Sequence, residues 1–204
     1  MHISEGVLSL PVLAGGAALG LAGVAWGLRR LPMDHLPQTA VLSAAFFVAG
    51  LIHVPIPPAQ VHLLLNGMLG LILGPAAFPA IFVALSLQAL LFQFGGLTTL
   101  GINTCNMALP ALLSWFCLRR LLFRGRLCRL LAGALAGLSG VLGSGLLLAL
   151  SLALSGEDFY QLAVLILLAH IPVMVIEGVI TALLAEFLAQ VRPELLAGPG
   201  RPLR

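Results

Sequence analysis

Lysine is absent from all 204 residues, and only seven residues are acidic. Charged side chains make up 8% of the chain, against about 25% in an ordinary soluble domain. Hydrophobic residues supply 60%, and mean hydropathy is +1.12. Together these values exclude a soluble globular domain, a disordered chain and a disulfide-stapled secreted module. Without lysine there is no G-x-x-x-x-G-K-[ST] loop, so the chain cannot hydrolyse ATP through a P-loop. One tyrosine and two tryptophans leave little to line a pocket for an organic ligand such as a vitamin. Cys105, Cys117 and Cys128 are three, cannot all pair, and form no C-x-x-C; they read as small buried thiols that pack between helices. No basic residue precedes Arg29, so the start of the chain does not read as a cleavable secretory, lipoprotein or twin-arginine signal.

What remains is a chain of apolar runs. A transmembrane helix needs about 20 apolar residues. Breakers divide the sequence into seven such runs, at 11–28, 38–54, 61–73, 76–94, 102–122, 130–154 and 159–191. The third is short for a full crossing, and the seventh is long enough to tilt or to kink at Pro172. All ten basic residues are arginine, and alternation tests the count. Arg29 and Arg30 follow the first run. Arg119, Arg120, Arg124, Arg126 and Arg129 surround the turn between the fifth and sixth, and Arg192, Arg201 and Arg204 follow the seventh. Every arginine therefore falls on one side, which the positive-inside rule makes cytoplasmic. Glu5, Glu157 and Asp158 fall on the other. The expected architecture is an all-α, polytopic integral membrane protein of about seven transmembrane helices, with the N-terminus outside and the C-terminus cytoplasmic. Residues 1–191 form a single membrane domain whose first ten carry the functional segment, and 192–204 form a tail. The net charge of +3 and the pI near 9.2 belong to this loop bias; no basic stripe points to nucleic acid. Gly16, Gly20, Gly23 and Gly27 recur on one face of the first helix, a pattern that serves either internal helix packing or a subunit contact.

This orientation places His2, His53 and His62 at the outer boundary, His35 inside and His170 within the last span. The position of His2 is the informative one. A large second residue blocks removal of the initiator methionine, which leaves Met1 with a free amine. That amine, the His2 backbone nitrogen and His2 Nδ1 can reach one metal ion through fused five- and six-membered chelate rings. Ni²⁺ and Cu²⁺ suit such a planar nitrogen set, and Co²⁺ is less demanding of it. His62 can supply a fourth nitrogen. Binding would release protons and weaken in acid. His53 reads as a boundary or access residue, and His35 as a solvated loop residue.

Longer stretches then resemble a family. Met1-His2-Ile3-Ser4-Glu5-Gly6, Val61-His62-Leu63-Leu64-Leu65-Asn66-Gly67, Leu73-Gly74-Pro75, the run Gly95–Met107 (GGLTTLGINTCNM) and Glu177-Gly178-Val179-Ile180-Thr181 are similar, in order, to the CbiM/NikM proteins. These are the substrate-specific membrane components of cobalt and nickel energy-coupling-factor (ECF) transporters. The resemblance implies a seven-span bundle with the N-terminus plugged into its outer face, and Met1, His2 and His62 as metal ligands. Transported Co²⁺ or Ni²⁺ is then the substrate, and no resident cofactor is expected. It also implies partners: an ECF coupling transmembrane subunit, separate ATPase subunits and, in some systems, a small auxiliary membrane protein. The setting would be a bacterial inner membrane, with cobalt serving cobalamin synthesis. Many relatives carry Gly-Asp before the double glycine, where this chain has Gln93-Phe94, which puts the local attraction of cations in question.

Thr98, Thr99, Asn103 and Asn106 are candidates either to orient a metal-bound imidazole or to cap and join helices. Glu177 is the one acid well inside a span. Counted along its helix it lies roughly 27 Å from the outer end, which favours a structural or subunit-facing role over ligation. A rival function is a rhomboid-like intramembrane serine protease. Gly137-Leu138-Ser139-Gly140 fits G-x-S-G, His170 lies on the next span, and His62-Leu63-Leu64-Leu65-Asn66 fits H-x-x-x-N. That reading leaves Met1-His2 and the Gly95–Met107 run without a role. No enzymatic activity is expected of the metal-binding component itself.

Overall fold

The computed structural model describes residues 2–56, 59–156 and 159–197, with the backbone alone over 53–56 and 59–61. Met1, Glu157, Asp158, Arg201 and Arg204 lie outside the described residues. Helices run α1 Leu10–Arg29, α2 Leu36–Ala49, α3 Asn66–Leu73, α4 Ala77–Phe92, α5 Leu100–Leu118, α6 Arg126–Ala153, α7 Tyr160–Ala169, α8 Ile171–Val191 and a short α9, Pro193–Ala197. α7 passes into α8 through His170, whose carbonyl accepts the Met174 N–H at 2.9 Å. Pro172 sits in the first turn of α8, where its missing N–H costs nothing. Counted that way, seven helical segments precede α9.

Among the described residues, five elements are long and apolar enough to cross a membrane: Leu10–Arg29, Asn66–Phe92, Leu100–Phe123, Arg126–Ala153 and Tyr160–Val191. The expected third and fourth spans, α3 and α4, run together as Asn66–Phe92, and α2, the expected second, falls short of the five. Between α2 and α3 lies a feature that departs from an all-α expectation, an antiparallel hairpin of β1 (His53–Ile56) and β2 (Ala59–His62), with His53 opposite His62. Val61 and His62 therefore belong to a strand. α2 keeps 14 residues and α3 only eight, about 21 Å and 12 Å of helix at 1.5 Å per residue. All eight residues of α3 are buried. Leu65, at φ 53, and Gly74, at φ 55, bound this short helix on either side.

Glycine lets the helices close up. A Cβ on Gly20 would lie 2.7 Å from the Gly101 carbonyl oxygen, and one on Gly101 would lie 2.5 Å from the Ala17 Cα. Gly16 faces Ile102, Gly23 faces Phe78 and Gly27 faces Pro75 and Pro79. The glycine face of α1 is therefore spent inside the chain, against α4 and α5. Likewise Gly133 and Gly137 on α6 meet the α8 backbone at Thr181–Ala182 and at Glu177.

The described arginines gather at one end. Arg30 and Arg119 line a common cavity with Leu73, Pro75 and Trp115, and each lies over a tryptophan ring, Trp26 and Trp115. Arg129 Nε donates to Glu186 Oε2 at 2.8 Å, and Arg126 Nε stands 3.6 Å from Glu186 Oε1, which ties the start of α6 to the end of α8. At the same end His35 Nδ1 meets Gln38 Oε1 at 3.1 Å, and Gln38 Nε2 donates to the Leu195 carbonyl.

Candidate metal centre

The opposite end holds the N-terminal tail. Ile3 and Leu8 are buried; burying a side chain of that size stabilises by about 1.5–3 kcal/mol. Asn103 on α5 fixes the backbone there. Its Oδ1 accepts the Ile3 N–H at 3.1 Å, and its Nδ2 donates to the Ile3 carbonyl at 3.1 Å. Thr99 Oγ1 accepts a second bond from Asn103 Nδ2 at 3.2 Å and donates to the Gly96 carbonyl. Gly95, at φ 79, lets the loop lie against the tail: a Cβ there would stand 3.0 Å from Asn103 Nδ2 and 3.5 Å from His2 Cβ. Glu5 Oε1 accepts the Thr98 N–H at 3.3 Å.

This seating brings His2 to His62. Their ring centroids are 4.8 Å apart, and His2 Nδ1 faces His62 Nε2 at 3.2 Å. The other two ring nitrogens fix the tautomers. His62 Nδ1 lies 3.0 Å from the Leu63 carbonyl, which can only accept, so Nδ1 carries the hydrogen. His2 Nε2 lies 2.9 Å from Gln88 Oε1. The Gln88 amide is oriented by its own Nε2, which donates to the Phe47 carbonyl at 3.1 Å, so its oxygen is the atom turned toward His2. In the neutral pair, then, His2 Nδ1 and His62 Nε2 face each other as acceptors. Such an arrangement can share a cation, a proton or a metal. Two nitrogens bound at about 2.0–2.1 Å to one metal stand roughly 2.8–3.4 Å apart between square-planar and tetrahedral angles, and the observed 3.2 Å falls in that range.

Of the sequence candidates, His2 and His62 come together, while Met1 lies outside the described residues. Thr99 and Asn103 secure the tail rather than the imidazoles. Thr98 acts through its backbone. Asn106 is buried, and its Nδ2 meets no hydrogen-bond partner among the described residues. His53 lies opposite His62 in backbone register, its side chain outside the description. Gln88 escaped the sequence reading, although it is the sole amide among the sixteen residues of α4. Gln93 adopts φ 58, which a glycine would take without strain. Phe94 places its ring 6.1 Å from that of His2 and stacks on Phe92 at 5.8 Å.

Glu177 is fully buried, and its carboxylate accepts the backbone N–H groups of Leu64 and Leu65, only two and three residues beyond His62. Of the roles the sequence left open, these bonds are of the structural kind, and they lie closer in the chain to His62 than a count along its own helix suggests. The protease constellation does not assemble. The Ser139 hydroxyl pairs with Ser114 Oγ at 3.3 Å, His170 Nδ1 donates to the Ile166 carbonyl at 2.6 Å, and Asn66 Nδ2 is spent on Met107, Gly140 and Ser144.

The chain is similar to known proteins along nearly its whole length. The family model CbiM, described as "Cobalt uptake substrate-specific transmembrane region", matches residues 2–195. A Haemophilus influenzae protein, provisionally named for metal transport, is 47% identical, with 96% of this chain and 97% of that protein covered. The cobalt transport protein CbiM of Sorangium cellulosum is 34% identical over 96% of this chain and 94% of its own. The fused nickel transport protein NikMN of Rhodobacter capsulatus is 32% identical over 100% of this chain and 67% of its own. A crystal structure of a transition metal transporter superposes with a TM-score of 0.77 at 27% identity, covering 94% of this chain and 93% of that one. The chain is a multi-pass membrane protein and not an enzyme, and it belongs to the CbiM family, the substrate-specific transmembrane components of cobalt and nickel uptake transporters.

Proposed function

We propose that this protein captures Co²⁺ or Ni²⁺ at the outer face of a bacterial inner membrane through the Met1 amine, the His2 backbone nitrogen, His2 Nδ1 and His62 Nε2. The observation that carries the reading is the 3.2 Å approach of His2 Nδ1 to His62 Nε2, with Gln88 and the Leu63 carbonyl holding the other two ring nitrogens. A second-row partner of this kind fixes both the tautomer and the aim of a metal-binding imidazole. The gathering of the arginines at the far end supports an N-outside, C-inside orientation. Asn103, by gripping both polar groups of Ile3, seats the residue next to His2, whose backbone nitrogen can close a chelate ring with Nδ1.

Transport needs energy from elsewhere, since the chain has no lysine for a P-loop. A coupling transmembrane subunit and ATPase subunits supply it. The third of the fused NikMN relative that this chain does not cover supports a small auxiliary membrane component as a separate partner. The test is metal content. Purified protein is expected to hold one equivalent of Ni²⁺ or Co²⁺, lost in His2→Ala, in His62→Ala and on extension of the N-terminus by one residue. Retention in either alanine variant removes that residue from the ligand set, and a metal-free wild type overturns the reading.

A further inference from the structure

The resemblance to a known family gives Glu177 no role. It is an acid with no exposure on α8, and ionisable groups within a membrane span are expensive to keep. The ion pairs among the described residues join Glu186 to Arg126 and Arg129, and Glu194 to Arg192. The recorded bonds of Glu177 go to backbone instead. Leu64 N–H donates to Oε1, and Leu65 N–H lies 3.0 Å from both Oε1 and Oε2.

The Leu64 N–H and the Leu63 carbonyl belong to one peptide unit. In a trans peptide both lie in the peptide plane and point in opposite directions. Glu177 therefore grips one side of this unit, and His62 Nδ1–H grips the other at 3.0 Å. The result is a continuous chain: carboxylate, peptide N–H, peptide C=O, imidazole Nδ1–H and, at the far side of the ring, Nε2 aimed at His2. A hydrogen bond to the N–H side of an amide polarises its carbonyl and makes it a better acceptor. A better acceptor at Nδ1–H makes Nε2 a stronger donor to a metal, as a carboxylate does when it touches a ligating histidine directly. The same bonds steady residues 63–65, where Leu65 sits at φ 53.

We infer that Glu177 is a positioning residue for His62, holding and polarising its imidazole through the Leu63–Leu64 peptide. This inference rests on the metal-capture reading. Copper(II) is the probe, because the amine, amide and His2 nitrogens still hold it when His62 is gone. In the wild-type background, Glu177→Gln is expected to weaken Cu²⁺ binding by about 10–100-fold, the usual effect of losing an outer partner of a ligand. In a His62→Ala background the same change is expected to alter affinity by less than about twofold, since its effect passes through the imidazole. Full wild-type affinity in Glu177→Gln, or an equal loss in both backgrounds, overturns the inference; the latter marks a purely structural role. Glu177→Asp, which keeps the charge at shorter reach, carries the same comparison where the amide variant does not fold. Failure of the metal-capture reading is separate, since wild type and His62→Ala would then bind copper alike.

Discussion

The two ends of the bundle are secured by different chemistry. At the histidine end the groups that touch the imidazoles and Ile3 are neutral: Asn103 holds the Ile3 backbone, Gln88 holds His2, and the Leu63 carbonyl holds His62. At the arginine end they are ionic, with Glu186 between Arg126 and Arg129 and two arginines lying over tryptophans. On the proposed reading a dication is received at the histidine end. Fixed positive charge near the histidines would repel it, and a paired carboxylate would compete for it. Amides position an imidazole without doing either.

That contrast can be broken at its strongest point by Asn103→Ala, which releases the tail. Nickel affinity, measured by calorimetry, is expected to fall about 10–100-fold, with a loss of about 1–3 kcal/mol in metal-free stability from the two abandoned bonds. Arg129→Ala at the other end sharpens it. Here the expected loss is about 0.5–1 kcal/mol in thermal unfolding, smaller at high salt, with nickel affinity unchanged. A drop in affinity in that variant would mean that the ends are coupled. The smallest effect belongs to Phe94→Asp, which restores an acid beside His2. Stopped-flow association of Ni²⁺ is expected to quicken by about two- to fivefold at low ionic strength and to return to the wild-type rate at high salt.

Much of this was legible in the sequence because side-chain type carries it. Arginines after alternate apolar runs mark the shared end, and histidines at positions 2 and 62 mark the other. The glycines of α1 announced close packing, though only their neighbours on α4 and α5 show where it is spent. The hairpin was hidden because Val54, Ile56 and Val61 are as apolar as a span and differ from one mainly in their branching. The path from Glu177 to His62 was hidden for a deeper reason. It runs through a peptide bond, and backbone groups have no letter in a sequence. Gln88 is the intermediate case, a visible amide whose partner depends on a tail 86 positions away.

The occupied amides have a consequence for the ions turned away. Magnesium and calcium greatly outnumber nickel and cobalt in most natural waters, and both seek oxygen donors. Beside the histidine pair the amide oxygens are already committed, Gln88 Oε1 to an imidazole and Asn103 Oδ1 to a peptide. On the proposed reading these amides offer abundant hard cations little to hold, and a scarce nitrogen-seeking ion meets two imidazoles that its commoner rivals have not filled.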